Sequence, residues 1–304
     1  MDNDPPKSPE HHYHSEATVL RGHLHLPLRQ HIHPQAFARL PEDGGYISQH
    51  AHDYELERVI SYTRGYTQVA GNQEIKHGRG FNTLATAVVE NLNVLDVVTA
   101  DRVVAQLSTE HPLERDKHTP RISLLGTRFE NLRIAGHPVI FDFDHGDLDL
   151  DFFGARPDDD TPYTRNPAFI HKVTRQHAHI RRQHNEHPET IAGLFDDLKD
   201  RFSRTEESFA DSDGQEEAVE CSFVNQASGY YPGHTCGHVI HIPHFGTLYL
   251  GVLHIHHTPS HPQWKTPATT VELSMIKMRL GCAIAGTTDV ATAKTNGGSK
   301  PIGG

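Results

Sequence analysis

Residues 85–107, ATAVVENLNVLDVVTADRVVAQL, decide the fold class. β-branched residues dominate on either side of Leu95-Asp96, and the stretch reads as two neighbouring strands, Ala85 to Leu95 and Val97 to Leu107. Working outward, the same composition returns at Ile47 to Tyr54, Val59 to Tyr66, Ile122 to Leu125 and Arg133 to Phe143. Gly44-Gly45, Gly71-Asn72, Gly78-Arg79-Gly80, Gly126 and Gly136 separate these runs, as turn positions requiring positive φ would. Further along, His238 to His244 and Thr247 to His257 fit two strands joined around Phe245-Gly246, and Thr270 to Leu280 adds another. The expected fold is mainly β: a sandwich or barrel of antiparallel strands with one or two inserted helices.

Pro188 to Phe202 is the clearest helix. Pro188 suits a first turn, Glu189 suits the positive end of the dipole, and Ile191, Leu194, Phe195 and Leu198 form an apolar stripe. Arg165 to Gln183 fits either helix or strand. A short echo links Glu90-Asn91-Leu92-Asn93-Val94 with Glu130-Asn131-Leu132-Arg133-Ile134 and marks two equivalent strand units.

The organisation follows. Residues 1–16, with three prolines and the cluster His11, His12 and His14, are expected to be a disordered N-terminal segment. Residues 17–286 read as a single mainly-β domain with an acidic and helical insertion at about 143–217, of which 203–217 is a solvated loop. Residues 287–304, Gly- and Thr-rich, read as a flexible tail.

Composition narrows the function. A net charge of -11 with neutral histidine argues against a nucleic-acid partner. Protonating all 27 histidines would move that charge to +16, so low solubility is expected near pH 6. No apolar run is long enough for a membrane span. The acidic start lacks a signal-peptide pattern, so the expected location is cytoplasmic, with export by a signal-free route left open. Cys221, Cys236 and Cys282 make no CxxC pair. Several strands are apolar on both faces, which fits a homo-oligomer or a central buried strand. A small-molecule or protein partner is not specified by any motif: phosphate loops, dinucleotide fingerprints, nucleophile elbows and His-Glu-x-x-His are all lacking.

Histidine spacing is the outstanding feature. His-x-His occurs at 12/14, 23/25, 31/33, 50/52, 177/179 and 254/256, more often than chance placement would give. In a strand such pairs point to one face, so each can offer two imidazoles to one ion. The candidate metal ligands are His50, His52 and Glu57 in one cluster and His254 and His256 in another. The expected cofactor is a divalent transition metal, with Zn, Fe, Mn, Cu and Ni indistinguishable. His254 and His256 share alternation with Leu248, Leu250 and Val252, which places them on the core side. Asp147-Leu148-Asp149-Leu150-Asp151 has the opening of a calcium loop but lacks its glycine.

Two resemblances add to this. Gly44, His50-Ala51-His52, Glu57 and Gly65 are similar to the first motif of cupins, which implies a metal held by two histidines and a carboxylate in a β-barrel. Val88 to Asp101, Gly126 to Gly136, Phe245 to Leu250 and Met275 to Gly281 resemble a group of uncharacterised bacterial β-rich proteins akin to the choice-of-anchor type. That resemblance implies a β-sheet fold and no particular activity. The leading functional expectation is a histidine-rich β-sheet protein with a non-catalytic binding or structural role that binds a divalent transition metal. The alternative is a cupin-like metal-dependent enzyme, of oxidoreductase or isomerase type, using His50, His52 and Glu57. A cavity around His50 would favour the enzyme; histidines spread over the surface would favour the module.

Overall fold

A computed structural model describes residues 10–26, 29–74, 80–111, 119–143, 152–153, 161–186, 188–210, 216–259, 267–281, 284–297 and 299–300. Glu10–His11 (β1) and His14–Leu26 (β2) come first, then Gln30–Gln35 (β3) and Ala38–Arg39 (β4). Four long strands follow: Gly45–Leu56 (β5), Ile60–Glu74 (β6), Gly80–Val94 (β7) and Val98–His111 (β8). Short strands β9 (Arg121–Ser123), β10 (Arg128–Glu130), β11 (Arg133–Ile134), β12 (His137–Pro138) and β13 (Ile140–Asp142) lead to helices α1 (Pro167–Glu186) and α2 (Pro188–Ala210). The chain then returns to β14 (Glu217–Ser222), β15 (Gln226–Ser228), β16 (His234–Cys236) and β17 (Val239–Ile242). It closes with β18 (Gly246–Thr258), β19 (Ala268–Gly281), β20 (Ala285–Gly297) and β21 (Ser299–Lys300).

These strands form a sandwich. One sheet runs β12-β11-β8-β7-β6-β5, with β9 and β10 also paired to β8. The other runs β16-β17-β18-β19-β20-β2-β3, with β14 on β18 and β4 on β2. Their facing sides build one core, in which Val19 and Leu20 of β2 and Met275, Val290 and Ala293 of β19 and β20 join Val69, Val89, Val103 and Leu107 of the opposite sheet. Both helices lie outside the second sheet. There Ile180, Leu198 and Phe202 bury Cys236, Val239, Tyr249 and Val252 in a second, smaller core. The two-sided apolar character of β18 is thereby explained: one side meets the opposite sheet, the other meets the helices.

The helix–strand ambiguity over Arg165 to Gln183 resolves as α1. Phe169, Val173, Gln176, His177 and Ile180 recur at helical spacing and are buried. Asn166 caps the helix, its Oδ1 accepting from the backbone N–H groups of Ala168 (3.0 Å) and Phe169 (3.2 Å), with Pro167 following it. Gln176 ties α1 to the sheet: its Nε2 donates to Ser222 O (2.9 Å), and its Oε1 accepts from Ser222 N (3.0 Å).

Alternation along the long strands is interrupted at one level across the first sheet. Asp53, Asn91 and Asn131 have φ of 50°, 54° and 51°. Ala85, Ala87 and Val89 face the core before this level of β7, but Leu92 and Val94 face it afterwards. Asn91 Nδ2 donates to Thr63 Oγ1 (2.9 Å), and Asn131 Nδ2 donates to Asp101 Oδ2 (2.6 Å), so a polar seam crosses the strands. The sequence echo sits on this seam. Glu90 and Glu130 both oppose Arg102, and Val94 and Ile134 both oppose Val98, so the two units flank β8 in one register.

Several boundaries differ from expectation. Residues 10–11 and 14–16 are strand rather than disordered; Tyr13 is buried beside Phe81, and Ser15 is buried as well. Residues 203–210 continue α2 instead of forming a loop, because Thr205 and Ser208 hydrogen-bond β14 and hold that turn on the sheet. Residues 287–297 are not a tail. They lie in β20, between β19 and β2, where Val290, Ala291 and Ala293 are fully buried by the opposite sheet. Arg133 to Phe143 is broken into three short strands by the turn at Ala135-Gly136 and by Val139. The Asp147–Asp151 run and Cys282 lie outside the described residues.

Candidate functional site: a basic groove beside helix α2

A groove of about 460 Å³ opens where α2 meets the outer face of the second sheet. Arg201, Arg204 and Thr205 of α2 line it, with Glu220 of β14, His254 and His256 of β18, and Lys277 of β19. Local structure explains why these side chains meet. Leu198 and Phe202 anchor α2, so Arg201 and Thr205, one turn from them, border the sheet. Lys277 pairs with Tyr249 across β18 and β19 and extends the same face.

Cross-strand register makes this face an ion ladder. Glu220 opposes His254, which opposes Glu272; Glu272 opposes Lys294, Lys294 opposes Glu16, and Glu16 opposes Arg39. Carboxylates alternate with imidazole, ammonium and guanidinium groups along the row, and the opposite charges of Glu272, Lys294, Glu16 and Arg39 face one another directly. Arg21 adds an ion pair and hydrogen bond to Glu272 and lies 3.5 Å from Asp289.

Glu220 is the electrostatic centre of the groove. Arg201 Nη1 donates to it at 2.7 Å, and His254 Nδ1 lies 3.3 Å from its other oxygen. Burial works to raise this carboxyl, but the charges of His254 and Arg201 outweigh it and hold the carboxyl below its ordinary value. His254 is pulled down by burial, against the opposing charge of Glu220. Arg201 also lies over the Tyr249 ring, 4.6 Å from its centroid. His256 Nε2 is 3.6 Å from Glu216.

Two histidines floor the site from below. His177 Nε2 donates to the Glu220 carbonyl (3.1 Å), and its ring stacks on Phe202 at 3.9 Å. Burial lowers its pKa to about 4, and burial lowers that of His238 to about 3. Both rings are therefore neutral near pH 7 and serve as packing.

The predicted ligands divide between two faces. His254 and His256 are together in this groove, but they point away from the sandwich core. Gly251 has φ 61°, and it reverses the alternation, so Leu250 faces the core while Val252, His254 and His256 face outward. His50 and His52 lie exposed on β5, an edge strand of the other sheet, opposite Tyr66 and Arg64. Ser48 Oγ is 3.3 Å from His50 Nε2. Glu57 sits in the β5–β6 turn with φ 47°. The three do not form a cupin-type ligand set: among the described residues, no group of three or more His, Cys, Asp or Glu is arranged to hold a metal ion. His52 instead heads a second ladder, His52, Arg64, Glu90, Arg102 and Glu130.

Arg201, Arg204, Glu220 and Lys277 were not singled out from sequence. The signal for the arginines was present, since 201 and 204 flank the apolar position 202 on a helix. Glu220 and Lys277 carried no comparable mark, because only strand pairing brings them together. Cys221 and Cys236 are buried, and burial pushes both thiols up, Cys236 to about 11. No helix among the described residues is long and apolar enough to cross a membrane.

No curated protein and no solved structure matches the chain. Residues 11–256 match the family model described as Domain of unknown function (DUF8256), and the chain belongs to that family.

Proposed function

We propose that this protein is a non-catalytic binding module that holds a small multivalent anion, bearing carboxylate or phosphate groups, in the groove beside α2. The observation that carries this is the charge of the lining. Among the described residues of the lining, three permanent cations, Arg201, Arg204 and Lys277, stand against one carboxylate, Glu220, which is already engaged by Arg201 and His254. This is a local positive site on a chain of net charge -11. Its volume suits a small ligand. His254 adds charge when protonated, and burial holds its pKa below the ordinary histidine value, so affinity should rise as pH falls below that value.

The cupin-like enzyme has less support, because His50 and His52 are exposed on an edge strand and not gathered in a cavity. The buried, high-pKa cysteines of the helix-covered sheet also offer no nucleophile. Titration calorimetry with inorganic pyrophosphate and with citrate at low salt tests the proposal. Saturable binding is expected, with Lys277→Ala weakening it about tenfold and added salt weakening it further. Absence of heat for both anions up to about 10 mM would overturn the reading.

A further inference from the structure

The six His-x-His pairs are not equivalent in the fold. Pair 177/179 lies on α1, where His177 is buried and His179 contacts Gln226. Pair 254/256 faces carboxylates, and pair 50/52 stands on an edge strand. Only at the β2–β3 hairpin, among the described residues, are two pairs set side by side. His23 opposes His31 across the hairpin. Ring centroids are 4.6 Å apart for His23–His25, 6.0 Å for His23–His31 and 4.8 Å for His31–His33. Four imidazoles thus form one continuous strip, His25–His23–His31–His33. His25, His31 and His33 are exposed and His23 is partly so. Leu24 and Ile32, the intervening residues, are buried in the core and fix which side the imidazoles take.

We propose that this strip binds a divalent transition cation of the copper, nickel or zinc kind, each ion taking two imidazole nitrogens. Ligand type sets the ion class, since neutral imidazole suits these metals and not calcium or magnesium. Two nitrogens about 2.0–2.1 Å from one ion lie roughly 3 Å apart, within reach of ring rotation for neighbours at these centroid distances. No three donors are already drawn around one point. The chelates are therefore bidentate, with water completing the shell, and His23 and His31 let an ion bridge the two strands. The strip lies at the β2–β3 edge of the sheet and shares no residue with the groove, so the two proposals stand or fall separately.

The test is titration of the tag-free full chain with NiCl2 and ZnCl2, followed by nitrogen hyperfine structure in the electron paramagnetic resonance spectrum of the Cu2+-loaded protein. Saturable binding of one or two ions is expected, at least tenfold weaker in His23→Ala/His31→Ala and unchanged in His50→Ala/His52→Ala. The single variants His25→Ala and His33→Ala, at exposed positions, guard against misfolding of the double variant, and each should weaken binding at least threefold. No saturable binding, a spectrum without nitrogen coupling, or unchanged affinity in both single variants would overturn the proposal.

Discussion

Glu220 faces the Arg201 guanidinium and the His254 imidazole at once, and the consequences of neutralising it run in opposite directions. Glu220→Gln removes the carboxylate that Arg201 contacts at 2.7 Å in a half-buried site, and losing that charge-assisted hydrogen bond should cost about 1–2 kcal/mol of stability, read from urea denaturation. The same substitution removes the larger of two carboxylate charges that raise the His254 pKa, Glu272 being the other, so His254 should titrate lower in an NMR pH series. It also removes a negative charge from the lining of the groove, so the variant should bind pyrophosphate more tightly while Lys277→Ala binds it more weakly. A purely structural role for these residues would give losses in both. Position 220 could not be weighted this way from sequence, where it is one of 39 acidic residues. Its partners are 19 residues away on a helix and 34 further along on another strand, and only the register of β14 on β18 supplies the connection.

At the scale of strands, most of the framework was legible, because β-branched runs and turn residues act locally. The β5–β8 meander, the β17–β18 hairpin and β19 fell where their composition placed them. What was not legible is the reversal of alternation inside a strand. Sequence arguments take a period of two as unbroken, and on that basis His254 shares a side with Leu250; Gly251 separates them. Its φ of 61° and the closeness of Phe223, whose Cε1 would lie 2.5 Å from an added Cβ, both restrict the position to glycine. Gly251→Ala should therefore cost about 2 kcal/mol or more in urea denaturation. Gly281→Ala, at a position with open space, should be near neutral and serves as the control. Equal effects at the two sites would remove the reversal as an explanation for where His254 and His256 point.

For the molecule as a whole, histidine sets the response to acid. His11, His177 and His238 are buried, and burial lowers their pKa values to about 4, 4 and 3. Below the unfolded value of about 6.5 the unfolded chain takes up protons that these three rings in the folded chain refuse. Their contribution to stability is complete above that value and is lost as pH falls toward 4, at about 1 kcal/mol per pH unit for each ring. Urea midpoints should accordingly drop between pH 6.5 and 5, and His238→Gln should keep more of its neutral-pH stability at pH 5 than the parent. The same burial modifies the solubility expectation. Because these imidazoles stay neutral in the folded state, net charge reaches zero at lower pH than a count of 27 histidines implies.

The pairing of β2 with β20 bears on how this fold can be reached. Thr292 Oγ1 donates to the Thr18 carbonyl, 274 residues earlier, and Leu20 opposes Val290 in the middle of the sheet. A ribosome must deliver almost all of this sequence before β2 can acquire its central neighbour. Until then β2 has only β3 and β4 beside it and leaves an apolar strand open on one side. Such a distant pairing is slow to close and exposed to aggregation meanwhile. Synthesis halted before residue 285 would yield a chain with every other long strand made and its sheet split in two.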